Sequence, residues 1–141
     1  MEGKTVIDMG TGTGILAILA KKRGAGETYG IDIDEFAVDN ARENAGLNQV
    51  EIFFETGDDS SLTDLPQADL FFANINLNVI LDNLAKYVGN LKKGGKIFLS
   101  GFLDTDREKI LEAAKELNLR LIKECSENHW VTMVFSKQNA G

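Results

Sequence analysis

"DMGTGTGILAI", residues 8–18, decides the fold. Three glycines, Gly10, Gly12 and Gly14, alternate between an acid, Asp8, and an apolar, helix-prone run. The residues up to the loop, "KTVIDM" (4–9), form a short apolar stretch that predicts a buried strand. The residues after it, "GILAILAKKRG", predict a helix, with Lys21, Lys22 and Arg23 in its last turn and Gly24 as its stop. A strand that enters a bare turn and leaves as a helix opens a parallel α/β sheet.

The rest of the chain continues the alternation. "ETYGIDI" (27–33) predicts a second strand and "DEFAVDNARENAGL" a helix, with Phe36, Val38, Ala41 and Ala45 at near-helical spacing and Asp34 as its cap. Strands are expected at "VEIFFE" (50–55) and, after the single proline Pro66, at "DLFFANI" (69–75). "NVILDNLAKYVGNL" (78–91) reads as a helix, "KKGG" as a turn and "KIFLSGF" (96–102) as a fifth strand. A last helix is expected over 104–118, with a capping residue and acids at its start and Ile110, Leu111, Ala114 and Leu117 on one face. Then "LRLIKEC" (119–125) and "HWVTMVFSK" (129–137), joined by "SEN", predict an antiparallel hairpin. The fold class is therefore α/β and Rossmann-like: a mostly parallel seven-stranded sheet, a C-terminal antiparallel hairpin, and helices on both faces. Ligands of such sheets sit at the carboxyl ends of the strands, here Asp8 to Gly14, Asp32 to Asp34, Thr56 to Asp59 and Asn74 to Asn78.

The length, 141 residues, fits one domain over 1–141. A net charge of −7 opposes a large nucleic-acid footprint, which needs clustered Lys and Arg. The single cysteine, Cys125, excludes an internal disulfide and a cysteine metal site, and reads as a small buried side chain. No metal site is expected. No apolar run reaches the length of a membrane span, and "MEGKTVID" carries no signal-peptide core, so a cytoplasmic protein is the expectation.

The loop narrows the ligand. Glycines let a backbone approach a ligand closely, and the helix end behind them favours an anionic group. Gly12, Gly14 and Ala17 also satisfy the dinucleotide pattern G-x-G-x-x-A, which keeps a nicotinamide-binding oxidoreductase fragment as an alternative. A carboxylate at Asp8 is awkward beside a pyrophosphate and welcome beside an ammonium. A ligand with both an amino acid and a nucleoside satisfies Asp8, the bare loop and the helix end together. S-adenosylmethionine is such a ligand.

The order strand–"DMGTGTG"–helix, "GIDIDEFAVDNARENAGLN", "ADLFFANINLNVI", "LKKGGKIFLSGF" resembles the class I methyltransferase core. More narrowly, "GIDID", "ARENA", "ANIN", "SGF" and the late Trp130 resemble the catalytic domain of the bacterial ribosomal protein L11 methyltransferases, PrmA-type, over about Lys4 to Lys137. The resemblance implies S-adenosylmethionine as cofactor and protein N-methylation of lysine or α-amino groups of ribosomal protein L11, a basic partner. With the acidic charge and the lack of an apolar span, no direct nucleic-acid or membrane contact is expected. Asp8, Gly10 and Gly12 are then cofactor-loop residues, while Gly14 serves close packing. Asp32 accepts from the ribose hydroxyls and is expected to pair with ligand alone. Asp58 accepts from the adenine amine, or simply caps a helix in the acid-rich loop "GDDSSLTD".

Asn74 carries the catalytic expectation: it ends an apolar strand where a bare amide needs partners, beside the donor methyl. Its neighbours, Ile75-Asn76-Leu77, lack the prolines of the DNA and glutamine methyltransferases, which favours the ribosomal-protein family; Asn76 and Asn78 are candidate helix caps. His129 has no acidic partner within its own stretch and reads as structural or surface; Trp130 borders the substrate cleft or joins the core. The family's N-terminal substrate-binding domain and an upstream segment that supplies a Thr to the cofactor site are expected to be absent here. A methyltransferase of another substrate, small molecule or RNA, and a non-catalytic binding module of the same fold are the other readings.

Overall fold

The computed structural model describes residues 1–138. Seven strands form one sheet: β1 (Val6–Met9), β2 (Thr28–Asp32), β3 (Phe53–Thr56), β4 (Ala68–Asn74), β5 (Leu91–Leu103), β6 (Leu119–Glu127) and β7 (Trp130–Lys137). Their spatial order is β3-β2-β1-β4-β5-β7-β6. The first five run parallel, and β7 lies antiparallel between β5 and β6. The chain reverses direction across the sheet between β1 and β4, which leaves a crevice at their carboxyl ends.

Four α-helices cover the sheet: α1 (Ile15–Lys22), α2 (Glu35–Leu47), α3 (Leu77–Gly89) and α4 (Arg107–Glu116). The α1–α2 face buries Ala17, Ile18, Val38, Ala41 and Ala45 against Phe54. The opposite face holds the larger core, in which Ile80, Leu84 and Tyr87 of α3 and Ile110 of α4 pack on Ile7, Phe71, Ile97 and Phe135. Phe71 and Tyr87 stack with ring centroids 5.1 Å apart. Because side chains alternate along a strand, β1 sends Ile7 and Met9 into the large core and Val6 and Asp8 to the α1 side. Asp34 caps α2 by accepting from Phe36 N (2.9 Å), and Asn76 caps α3 by accepting from Val79 N (3.1 Å).

Several local expectations are corrected. Phe36 is 84% exposed, because it lies across α2 from the Val38–Ala41–Ala45 stripe. β3 begins at Phe53, later than position 50, and β5 begins at Leu91, so "KKGG" is absorbed into the strand across an irregularity in its pairing with β4. A 3-10 turn at Asp104–Asp106 precedes α4, and Asp106 Oδ2 accepts from Leu103 N at its start (3.4 Å). The β6–β7 loop is Asn128–His129, with φ of 52° and 70°, in place of "SEN". Two left-handed residues match a tight two-residue turn to the strand twist. Cys125 is exposed, since outer strand β6 buries little beyond Leu119.

Candidate functional site

The loop after β1 is built from its backbone outward. Gly10 N and Thr11 N both donate to Ile31 O (2.8 and 2.9 Å), which ties the loop to the end of β2. Gly10, Gly12 and Gly14 have φ of 78°, 56° and 82°, a region hostile to side chains. Their surroundings differ. A Cβ on Gly14 would meet Ala41 Cβ at 3.0 Å and Phe54 Cζ at 3.1 Å, so this glycine serves close packing of α1 on α2 and β3. A Cβ on Gly12 would meet nothing within 4 Å.

Asp8 lies beneath this loop, 1% exposed. Its Oδ2 accepts from Thr11 Oγ1 at 2.9 Å, while Oδ1 is buried without a partner among the described residues. Burial pushes the carboxyl up to about 6, against the pull of the Thr11 bond and of the nearby Ala17 backbone N–H, and the charge of Asp32 adds to the rise. Asp8 does not line the cavity described next; it braces the loop from behind.

A cavity of about 300 Å³ opens at the switch point. All four strand tips reach it: Gly10 after β1, Asp32 and Ile33 at β2, Gly57–Asp59 after β3, and Asn74–Asn76 after β4. Asp32 is not reserved for a ligand. Its Oδ2 accepts from Gly12 N (2.9 Å) and its Oδ1 from Asp34 N (3.0 Å), so the carboxylate clasps the glycine loop to the start of α2. Asp58 caps the 3-10 helix Asp59–Asp64, accepting from Ser60 N (2.9 Å) and Ser60 Oγ (2.6 Å), and it also lines the cavity. Those bonds from Ser60 hold its carboxyl below the ordinary range. From α3 come residues that sequence reasoning misses: Val79, Asn83 and Tyr87. The Tyr87 hydroxyl is buried with no partner among the described residues, and burial, then the charge of Asp59, pushes it up to about 12.

A second, wider recess of about 850 Å³ lies on the other side of the β4 tip. Asn74, Ile75 and Asn76 belong to both hollows. Trp130, 56% exposed, lines this groove with Glu127, Cys125 and Gly101, so it is a cleft residue and not core. His129 does have an acidic partner: Nδ1 lies 2.9 Å from Asp104 Oδ2, and Asp104 N donates to His129 O at 2.8 Å. That pair pins the hairpin turn to the end of β5.

The family model of "Ribosomal protein L11 methyltransferase (PrmA)" matches residues 1–138. The chain belongs to the ribosomal protein L11 methyltransferase family. It is 44% identical to the ribosomal protein L11 methyltransferase of Porphyromonas gingivalis, over 96% of this chain and 47% of that protein. The corresponding protein of Symbiobacterium thermophilum is 42% identical, over 96% of this chain and 44% of its own length. A crystal structure of the ribosomal protein L11 methylase of Lactobacillus delbrueckii subsp. bulgaricus superposes with a TM-score of 0.90 at 31% identity, covering 99% of this chain and 72% of that one. The chain thus spans about half the length of the curated relatives it matches.

Within this methyltransferase family fold, Gly10, Asp32, Asp58 and Asn74 converge on one cavity, whereas Asp8 stands behind it and Gly12 borders open space. The α3 residues carry no sequence signal of their own, because Tyr87 sits in an ordinary apolar stripe, and only the packing of α3 along β4 turns that stripe toward a site. Asp104 and His129 are 25 positions apart and meet only through the β5–β7 pairing.

Proposed function

We propose that this chain is the S-adenosylmethionine-binding, methyl-transferring unit of a protein methyltransferase that modifies amines of ribosomal protein L11. The observation that carries the reading is the position of Asn74, at a strand tip shared by the cavity and the wider groove. The names of the matched relatives support the substrate.

The cavity's residues fit the cofactor. Beside it Gly12 borders open space over the loop, and the Tyr87 hydroxyl is a buried polar atom on the wall without a partner among the described residues. Asp32 uses one bond per oxygen internally, and each carboxylate oxygen has a lone pair left for a ribose hydroxyl. Asp58 accepts from the adenine amine while still capping its helix. Asp8 acts through Thr11, holding the loop in shape. When bound, the cofactor supplies a methyl group on sulfonium sulfur, and its thioether product is neutral, so no residue is needed to protonate a leaving group.

The acceptor amine enters by the groove. A lysine amine with its ordinary pKa near 10.4 arrives as ammonium. Partial burial against the groove wall lowers that value, and the open groove lets the proton pass to water. The Asn74 amide oxygen accepts one remaining N–H and aims the nitrogen lone pair toward the cavity. Rate then comes from alignment of the reactants.

The test is radiolabelled methyl transfer to ribosomal protein L11. A fusion of this chain to the unmatched half of the Porphyromonas gingivalis relative should label L11, and the chain alone should stay at background. An unlabelled L11 with the folded fusion would contradict the reading; efficient labelling by the chain alone would put substrate recognition inside this core.

A further inference from the structure

The wall between cavity and groove has an unusual support. In the sheet, β4 lies between β1 and β5, with Met9 opposite Ala73 and Asn74 opposite Ser100. The end of β4 and the residue after it, Asn74–Ile75, therefore pass between the residue after β1 and the residue of β5 that follows Ser100. Both are glycines, Gly10 and Gly101. Both are left-handed, with φ of 78° and 95°.

Each is bare where it faces that wall. A Cβ on Gly10 would lie 2.9 Å from Ile75 Cγ1 and 3.4 Å from Asn74 O. A Cβ on Gly101 would lie 2.7 Å from Ile75 O and 3.0 Å from Asn74 Oδ1. Gly101 is also the extra residue of a bulge: Ser100 pairs with Thr132 and Phe102 with Val131, so β7 has no residue opposite Gly101. A bulge re-aims the strand locally, and here it brings bare β5 backbone against the Asn74 amide oxygen.

We propose that Gly10 and Gly101 form a two-sided slot that fixes Asn74–Ile75 as the partition between the cofactor cavity and the acceptor groove. Gly10 presses on it from the cavity side and Gly101 from the groove side. Both are positioning residues: they set where the Asn74 amide oxygen stands, and the inference rests on Asn74 being the group that orients the acceptor. The two contacts differ in kind. Gly10 faces the Ile75 side chain, which can be shortened. Gly101 faces the Ile75 carbonyl, which cannot.

That difference is the test. The ¹⁵N-labelled chain gives a side-chain NH₂ pair for Asn74, assigned by its loss in Asn74→Asp. Gly101→Ala should shift this pair and the Ile75 backbone amide, while affinity for S-adenosylhomocysteine falls by less than in Gly10→Ala, because Gly101 reaches the cavity only through Asn74–Ile75. Gly10→Ala should weaken that affinity about tenfold or more and lower the melting temperature. Adding Ile75→Ala should recover much of both losses for Gly10→Ala and none of the amide shift for Gly101→Ala. The backbone strain of a left-handed alanine is common to both variants and stays. An unmoved Asn74 pair in folded Gly101→Ala overturns the slot. So does an Ile75→Ala background that rescues neither variant, or both alike. If Gly101→Ala does not fold, the Gly10–Ile75 cycle, read in melting temperature, still decides. A parent chain that binds no S-adenosylhomocysteine contradicts the proposed function instead, and leaves the amide and melting comparisons intact.

Discussion

Replacing Asp8 by Asn tests whether this carboxylate is a brace held at a cost. Raising a carboxyl from 3.8 to about 6 corresponds to about 3 kcal/mol of folding stability, at 1.36 kcal/mol per pH unit. The sign follows from where the proton binds more tightly. The folded state holds it more firmly than the unfolded chain, so the penalty is absent well below 3.8, grows as pH rises, and is complete above about 6. Asn keeps an acceptor for Thr11 Oγ1, now 2.9 Å away, but its NH₂ takes the place of Oδ1, where no partner waits. That unpaired amide costs about 1–2 kcal/mol at every pH. The net result at pH 8 is a gain of about 1–2 kcal/mol, or about 3–8 °C in melting temperature. Near pH 4 the gain disappears and the variant is the less stable protein. Urea unfolding of both proteins from pH 4 to 8 measures the difference directly, because every other titrating group is common to the two. A stability difference that stays constant across that range would refute a raised Asp8 and the burial argument behind it.

Three further outcomes follow from the site. Asp32→Ala should lower S-adenosylhomocysteine affinity at least a hundredfold and, by freeing Gly12 N and Asp34 N, cost about 1–2 kcal/mol of stability; calorimetry and thermal melts read the two effects, and an unchanged affinity would remove Asp32 from the ribose. Gly12→Val should abolish binding by filling the open space over the loop, at a left-handed position that also strains a branched side chain; normal binding by this variant would make the loop a mere turn. Cys125 should react with one equivalent of a thiol reagent in the native chain, since it is exposed, and a thiol silent until denaturant is added would contradict its placement.

Features set by local chemistry are legible in the amino-acid sequence. The glycine loop between strand and helix, the Asp34 cap and the apolar stripe of α3 all express short-range rules, and together they put the four strand tips at one edge. Gly14 reads as a packing glycine for the right reason, although its neighbours are α2 and β3. What the sequence hides depends on tertiary direction. Asp8 reads as a ligand contact, but strand alternation turns it to the α1 side, away from the cavity that Met9 lines. Asp32 reads as free for a ligand, and only the folded loop brings Gly12 N against it. Cys125 reads as buried because a free cysteine behaves as a small apolar side chain, whereas β6 closes the sheet's edge and leaves it exposed. The His129–Asp104 pair needs the register of β5 on β7, which no local pattern encodes.

The central claim is that the crevice between β1 and β4 is an S-adenosylmethionine site and not a dinucleotide site. Isothermal calorimetry of this chain, titrated in parallel with S-adenosylhomocysteine and with NAD, tests it most directly. Saturable one-to-one heat with S-adenosylhomocysteine, lost in Asp32→Ala, and none with NAD is the expected result. Binding of NAD with S-adenosylhomocysteine silent would contradict it.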